Sequence, residues 1–154
     1  MQQPIVISGA GILGCYISCA LGLQGIESIV LEKKDDEVED PVRTITLNPF
    51  SKNLLDKIGI ENDYSMINKM EVKDFDGTGK IVFKSSEIGM DHLAYVSDFS
   101  TLLMAIRKKA SEKILYKEEI IKIDAIGFPD KDMRVTDSMG RIWYLDFCDV
   151  ALID

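Results

Sequence analysis

A short apolar run, Pro4-Ile5-Val6-Ile7-Ser8, leads straight into Gly9-Ala10-Gly11-Ile12-Leu13-Gly14, and that glycine spacing constrains the fold more than anything else in the chain. The run reads as a buried parallel strand. Residues 12–24 read as a helix, with Gly25 placed to end it in a left-handed turn. Ser28-Ile29-Val30-Leu31-Glu32 then reads as a second strand. Each glycine has a task in such a unit. Gly9 permits the tight turn out of the strand. Gly11 lets a pyrophosphate approach the backbone, and Gly14 lets the helix pack closely on the strands. The helix N-terminus offers free N–H groups and the positive end of its dipole. Glu32 ends the second strand, where an acidic residue accepts hydrogen bonds from a ribose diol. A G-x-G-x-x-G is weak by itself; between strand and helix, with the terminal acid, it reads as a dinucleotide-binding unit. The candidate cofactor-binding residues are therefore Gly9, Ala10, Gly11, Ile12, Leu13, Gly14 and Glu32, with Lys33 beside them. The Glu32 charge disfavours a 2′-phosphate and hence NADP here. NAD and FAD both fit the fingerprint.

The formal net charge of −8 repels nucleic acid and anionic lipid, so neither is expected as a main partner. Asp35, Asp36, Glu37, Glu39 and Asp40 read as a solvated loop. Cys15, Cys19 and Cys148 show no C-x-x-C spacing, which argues against a disulfide framework or a zinc site and fits a reducing cytosol. Cys15 and Cys19 share a helix face and read as small packing residues. The stretch 5–23 is broken by glycines and has no Lys or Arg before it, so it is not a signal peptide or membrane anchor. No metal cluster and no catalytic triad is visible, and His92 reads as a surface histidine. No catalytic residue is assigned.

Downstream, residues 33–44 read as an acidic loop. Asn48-Pro49 opens a helix with Leu54, Leu55 and Ile58 on its apolar face and Gly59 as its stop. Residues 70–75 and 80–84 read as a β-hairpin around Asp76-Gly77-Thr78-Gly79, with Val72, Phe75, Ile81 and Phe83 making its apolar contacts. A third helix is expected over 98–112, capped by Ser97 or Asp98, with Leu102, Leu103, Ile106 and Ala110 as its core stripe. Strands follow at 113–117, 119–127, 132–137 and 141–147, turning at Pro129-Asp130-Lys131 and Ser138-Met139-Gly140, with a last parallel strand at 149–154. An NAD domain usually continues with a further β-α unit soon after its second strand. The intervening hairpin and the antiparallel meander favour FAD.

These residues resemble the class A flavoprotein monooxygenases, and among them the ubiquinone-biosynthesis hydroxylases that act on polyprenylated phenols. The resemblance rests on the glycine fingerprint with Glu32, on Arg43-Thr44-Ile45-Thr46-Leu47, and on Leu54-Leu55-Asp56-Lys57-Ile58-Gly59-Ile60. It continues through the hairpin, Tyr95-Val96 and Asp149-Val150-Ala151-Leu152. It implies an α/β, Rossmann-like FAD/NAD(P)-binding domain of the glutathione-reductase type: a parallel sheet plus an antiparallel meander and an inserted β-hairpin. It also implies that Arg43 contacts FAD. An Arg or Gln that relatives carry at the start of the third helix is replaced here by Asp98-Phe99-Ser100.

The later Gly-Asp motif of the family is absent. The expectation is an incomplete FAD-binding domain over 1–154, with 67–96 as the start of a substrate-domain hairpin, and a fragment inactive by itself. The full-length enzyme would take electrons from NAD(P)H and hydroxylate an aromatic or polyprenyl-phenol substrate. Such a substrate implies a cytoplasmic protein loosely attached to the inner membrane, and a homodimer would cover surface left bare. The alternatives are another oxidoreductase of the FAD superfamily, such as an amine oxidase or prenyl reductase, and a module that folds without cofactor.

Overall fold

The structure, a computed structural model, describes residues 4–37, 43–126, 132–146 and 150–152. In chain order its first elements are β1 (Ile5–Ser8), α1 (Ile12–Leu23), β2 (Ser28–Glu32), β3 (Thr44–Leu47) and α2 (Pro49–Lys57). Then come β4 (Ser65–Ile67), β5 (Lys69–Lys73), β6 (Lys80–Lys84), β7 (Ala94–Asp98) and α3 (Phe99–Ala110). The chain closes with β8 (Ile114–Tyr116), β9 (Ile120–Ile126), β10 (Asp132–Asp137), β11 (Ile142–Asp146) and β12 (Val150–Leu152). Two compact units result, one from residues 1–39 and 103–154 and one from residues 40–102, with the division falling inside α3.

The first unit is built on a parallel sheet in the order β12-β1-β2-β8. Side chains alternate along each strand, so its two faces bury different partners. Ile7 and Ser28 face α1: Ile7 lies against Gly14, and the Ser28 hydroxyl hydrogen-bonds that of Ser18 at 2.9 Å. Val6 and Leu31 face the other way and pack with Val135, Ile29, Leu115, Ile120 and Trp143, so the antiparallel sheet β11-β10-β9 covers that side. Val6, Leu31 and Val135 are essentially inaccessible to water, which is worth about 1.5–3 kcal/mol for each side chain. The β10–β11 turn is knotted by the fully buried Asp137, which accepts from the N–H groups of Met139 and Arg141 and from Arg141 Nε. Gly140, at φ +78°, supplies the left-handed residue of that turn.

In the second unit β3, β7 and β4 form an antiparallel sheet. Asn48 caps α2, its side chain accepting from the Ser51 N–H at 2.7 Å, and Pro49 takes the first helical position. Leu55 and Ile58 are buried as the sequence implied. Strands β5 and β6 pair antiparallel from Lys69↔Lys84 to Lys73↔Lys80.

Several expectations are corrected. The loop placed over 33–44 ends early, because Thr44 already pairs with Asp98 in β3–β7. Neither β3, β4 nor β7 was read from the sequence; they are three to five residues long, too short for a clear alternating pattern. The third helix stops at Ala110, and Ser111–Lys113 forms a 3-10 turn. Of the hairpin's apolar residues, Val72 pairs with Ile81 and Phe83 with Met70, each 40–58% exposed, whereas Phe75 is 98% exposed and lies beyond the paired residues. A two-stranded ribbon has no layer of its own to bury a face against. Glu39, Asp40, Cys148 and the turn at 129–131 lie outside the described residues.

Candidate functional site

The site forms where the glycine turn joins β1 to α1 at the carboxyl edge of the parallel sheet. Gly9 takes φ +97°, a conformation strained for other residues, and its N–H donates to the Leu31 carbonyl at 2.8 Å. The turn is thereby fastened to β2. Gly11 is the N-cap of α1 with an ordinary φ of −73°, and a Cβ built there meets nothing within 4 Å. A Cβ at Gly14 would lie 2.1 Å from the Gly9 carbonyl oxygen. Gly9 and Gly14 are therefore required by the chain itself, whereas nothing among the described residues requires Gly11. Among the described residues no side chain caps α1, and no acidic residue occupies its first turn. A helix start left without such a cap is suited to an anion.

Glu32 stands beside this helix end and is 8% exposed. Its Oε2 accepts from the Ala10 N–H at 2.8 Å, and its Oε1 accepts from the Lys34 N–H at 2.9 Å. Each oxygen keeps a further lone pair, so the carboxylate can still accept from a diol. Lys33, exposed, follows it directly. The structure thus brings Gly9, Ala10, Gly11, Ile12, Leu13, Gly14 and Glu32 together. Arg43 belongs to the second unit; its guanidinium lies 4.3 Å over the Phe99 ring, and its carbonyl accepts from the Phe99 N–H at 2.8 Å.

Two neighbours of Glu32 escaped the sequence reading. Arg107, on α3, donates from Nε to the Ala10 carbonyl at 2.9 Å, and one of its terminal nitrogens is 3.6 Å from Glu32 Oε2. Tyr116 pairs with Glu32 in the β2–β8 register, and its ring lies 5.8 Å from the Arg107 guanidinium. Burial, followed by the nearby Asp36, pushes the Tyr116 phenol up to about 12. The signal for Arg107 was its place in the apolar stripe of α3, four residues after Leu103 and three before Ala110. A cation at such a position must find a buried partner.

Cys15 is buried in α1 as expected, and burial pushes its thiol up to about 12. Among the described residues no group of His, Cys, Asp and Glu is arranged to hold a metal ion, and no helix is long and apolar enough to cross a membrane. His92 is partly buried; its Nδ1 is 2.6 Å from Asn68 Oδ1 and its ring is edge-on to Tyr95.

Comparison with known proteins gives the family and the fold. A family model described as an FAD binding domain matches residues 2–119. The ubiquinone biosynthesis monooxygenase COQ6 of Danio rerio is 27% identical over 138 residues, covering 77% of this chain and 28% of that protein. Squalene epoxidase erg1 of Aspergillus fumigatus is 36% identical over 76 residues, covering 48% of this chain and 15% of that protein. Among solved structures, p-nitrophenol 4-monooxygenase PnpA of Pseudomonas putida superposes with a TM-score of 0.76 at 17% identity, over 99% of this chain and 40% of that one. The chain therefore spans well under half the length of these relatives.

Proposed function

The chain belongs to the FAD-binding-domain family of class A flavin-dependent monooxygenases, and on that premise we propose that its glycine turn and Glu32 hold the ADP half of FAD. The observation that carries this reading is Gly11: a side chain there would have room and an ordinary backbone, so nothing among the described residues calls for the missing Cβ, and a bound pyrophosphate does. That pyrophosphate is seated on the uncapped N-terminus of α1, with the Glu32 carboxylate in place for the adjoining ribose. The chemistry such a cofactor supplies when bound is acceptance of electrons from NAD(P)H and transfer of one oxygen atom from O2 to a substrate. The chain's own groups bind and orient: N–H groups for the phosphates and Glu32 for the diol. Arg43, held on Phe99, is assigned to the flavin half by the family resemblance. The layered parallel sheet and meander are read as the glutathione-reductase type, with 67–96 as the start of a substrate-domain hairpin.

For the whole protein the reading is hydroxylation of an aromatic substrate of the polyprenyl-phenol class in ubiquinone biosynthesis, supported by the similarity to COQ6. A lipophilic substrate of that kind would place the protein at a membrane surface, cytoplasmic or peripheral. The similarity to squalene epoxidases supports a second reading, oxygen insertion into an isoprenoid double bond. An FAD titration of the 154-residue chain, followed by absorbance and flavin fluorescence, tests the cofactor reading. Saturable binding supports it, and the absence of any spectral or stability change refutes it. Product analysis of the full-length protein with phenols, squalene and NAD(P)H separates hydroxylation from epoxidation.

A further inference from the structure

The geometry points to Arg107 as the positioning residue of the ribose-binding group: it holds the Ala10 peptide, whose N–H in turn holds the Glu32 carboxylate, before a ligand arrives, and thereby sets the preference for a ribose carrying both hydroxyls. The inference rests on the reading of this turn as a dinucleotide site.

Arg107 is 8% exposed. A buried guanidinium is costly unless its donors and its charge are matched, and an apolar side chain of similar size usually serves stability as well. Arg107 is matched only in part. Its Nε donates to the Ala10 carbonyl, one terminal nitrogen stands 3.6 Å from Glu32 Oε2, and Nη1 is buried with no hydrogen-bond partner. Such an arginine is a poor stabiliser, so its position must serve something else. That position is telling. Ala10 is fully buried and held at both polar groups, its N–H by Glu32 and its carbonyl by Arg107. The proximity of Arg107 to Glu32 closes a ring of three residues from the turn, β2 and α3. The Glu32 oxygen that accepts from Ala10 is the one beside the Arg107 charge. Arg107 donates to the Ala10 carbonyl through Nε while its charged end stands beside Glu32, which lysine, with donors only at its tip, cannot do at once.

The test uses the 154-residue chain and two probes, ADP and 2′-deoxy-ADP, measured by calorimetry beside an FAD titration. The unaltered chain is expected to bind ADP about tenfold more tightly than 2′-deoxy-ADP, the value of one hydrogen bond to a charged acceptor. In Arg107→Met the ADP affinity falls while the 2′-deoxy-ADP affinity stays within about threefold, so the preference collapses toward one. Arg107→Lys keeps a cation and loses the preference as well; it carries the test if Arg107→Met does not fold by circular dichroism. Adding Glu32→Gln to either variant costs no further ADP affinity. Equal weakening of both probes with the preference intact overturns the inference and leaves Arg107 a structural residue. Failure of the unaltered chain to bind ADP or FAD overturns the reading of the site and the inference with it.

Discussion

Gly14 lies so close beneath Gly9 that a methyl group on it would come within 2.1 Å of the Gly9 carbonyl oxygen. The obstruction is backbone and cannot swing aside. Gly14→Ala is therefore expected to cost about 3 kcal/mol, the upper end of overpacking, and to lower Tm by roughly 6–12 °C. Gly11→Ala is the contrasting case, because its added carbon meets open space. It should change stability by less than about 1 kcal/mol. It should also weaken FAD at least about tenfold in a titration. A Gly11→Ala chain that binds FAD like the unaltered one would remove the pyrophosphate from this turn.

Asp137 is fully buried and gathers two backbone N–H groups and the Arg141 Nε. Arg141 also pairs with Glu118, so removing the carboxylate disturbs a linked set of donors. Asp137→Ala is expected to cost about 2–4 kcal/mol, and Asp137→Asn less, since its amide oxygen still accepts. Urea midpoints at unchanged slope measure both. Equal midpoints for Asp137→Ala and the unaltered chain would show that the turn holds without the knot.

Asp98 caps α3, accepting from the Ser100 hydroxyl and from the N–H and hydroxyl of Thr101. These bonds, that from Ser100 first, hold its carboxyl below the usual range. A depressed folded-state value means that the charge contributes stability above the unfolded-state value and loses it as pH falls through the folded one. Asp98→Asn keeps a capping oxygen without the charge. The unaltered chain should therefore melt higher than Asp98→Asn above about pH 5, with the gap closing below about pH 3. A gap that is constant over this range contradicts the assignment.

With its thiol pushed up to about 12 and no water contact, Cys15 should resist iodoacetamide in the folded chain at pH 8. Peptide mapping after labelling in urea should recover it. Labelling of Cys15 at native conditions would mean that α1 opens locally.

The first 32 residues could be read because every local requirement agrees. Gly9 needs its positive φ, Gly14 its missing Cβ, and Ser18 a small partner in Ser28, so one sequence answer serves turn, helix and packing at once. The Asn48 cap and the α3 stripe were legible for the same reason. Arg107 was not, because its role depends on Ala10, 97 residues away, and no local pattern encodes that meeting. β3, β4 and β7 were missed because their pairing, such as Thr44 with Asp98, comes from distant segments rather than from alternation within four residues. The hairpin strands, read at 70–75 and 80–84, pair over 69–73 and 80–84, and Phe75 falls outside because the turn begins before it.

That ribbon has a colloidal consequence. Met70, Val72, Ile81 and Phe83 line one face of β5–β6, each between 40% and 58% exposed, on a molecule whose net charge is −8. Long-range repulsion and a short-range sticky stripe then compete, and dissolved salt decides between them. At about 0.01 M the Debye length of about 30 Å keeps molecules apart, whereas at about 1 M it shrinks to about 3 Å and the stripes can meet. The chain should therefore become less soluble as ionic strength rises, cling to a phenyl matrix in concentrated salt, and let go when the salt is diluted.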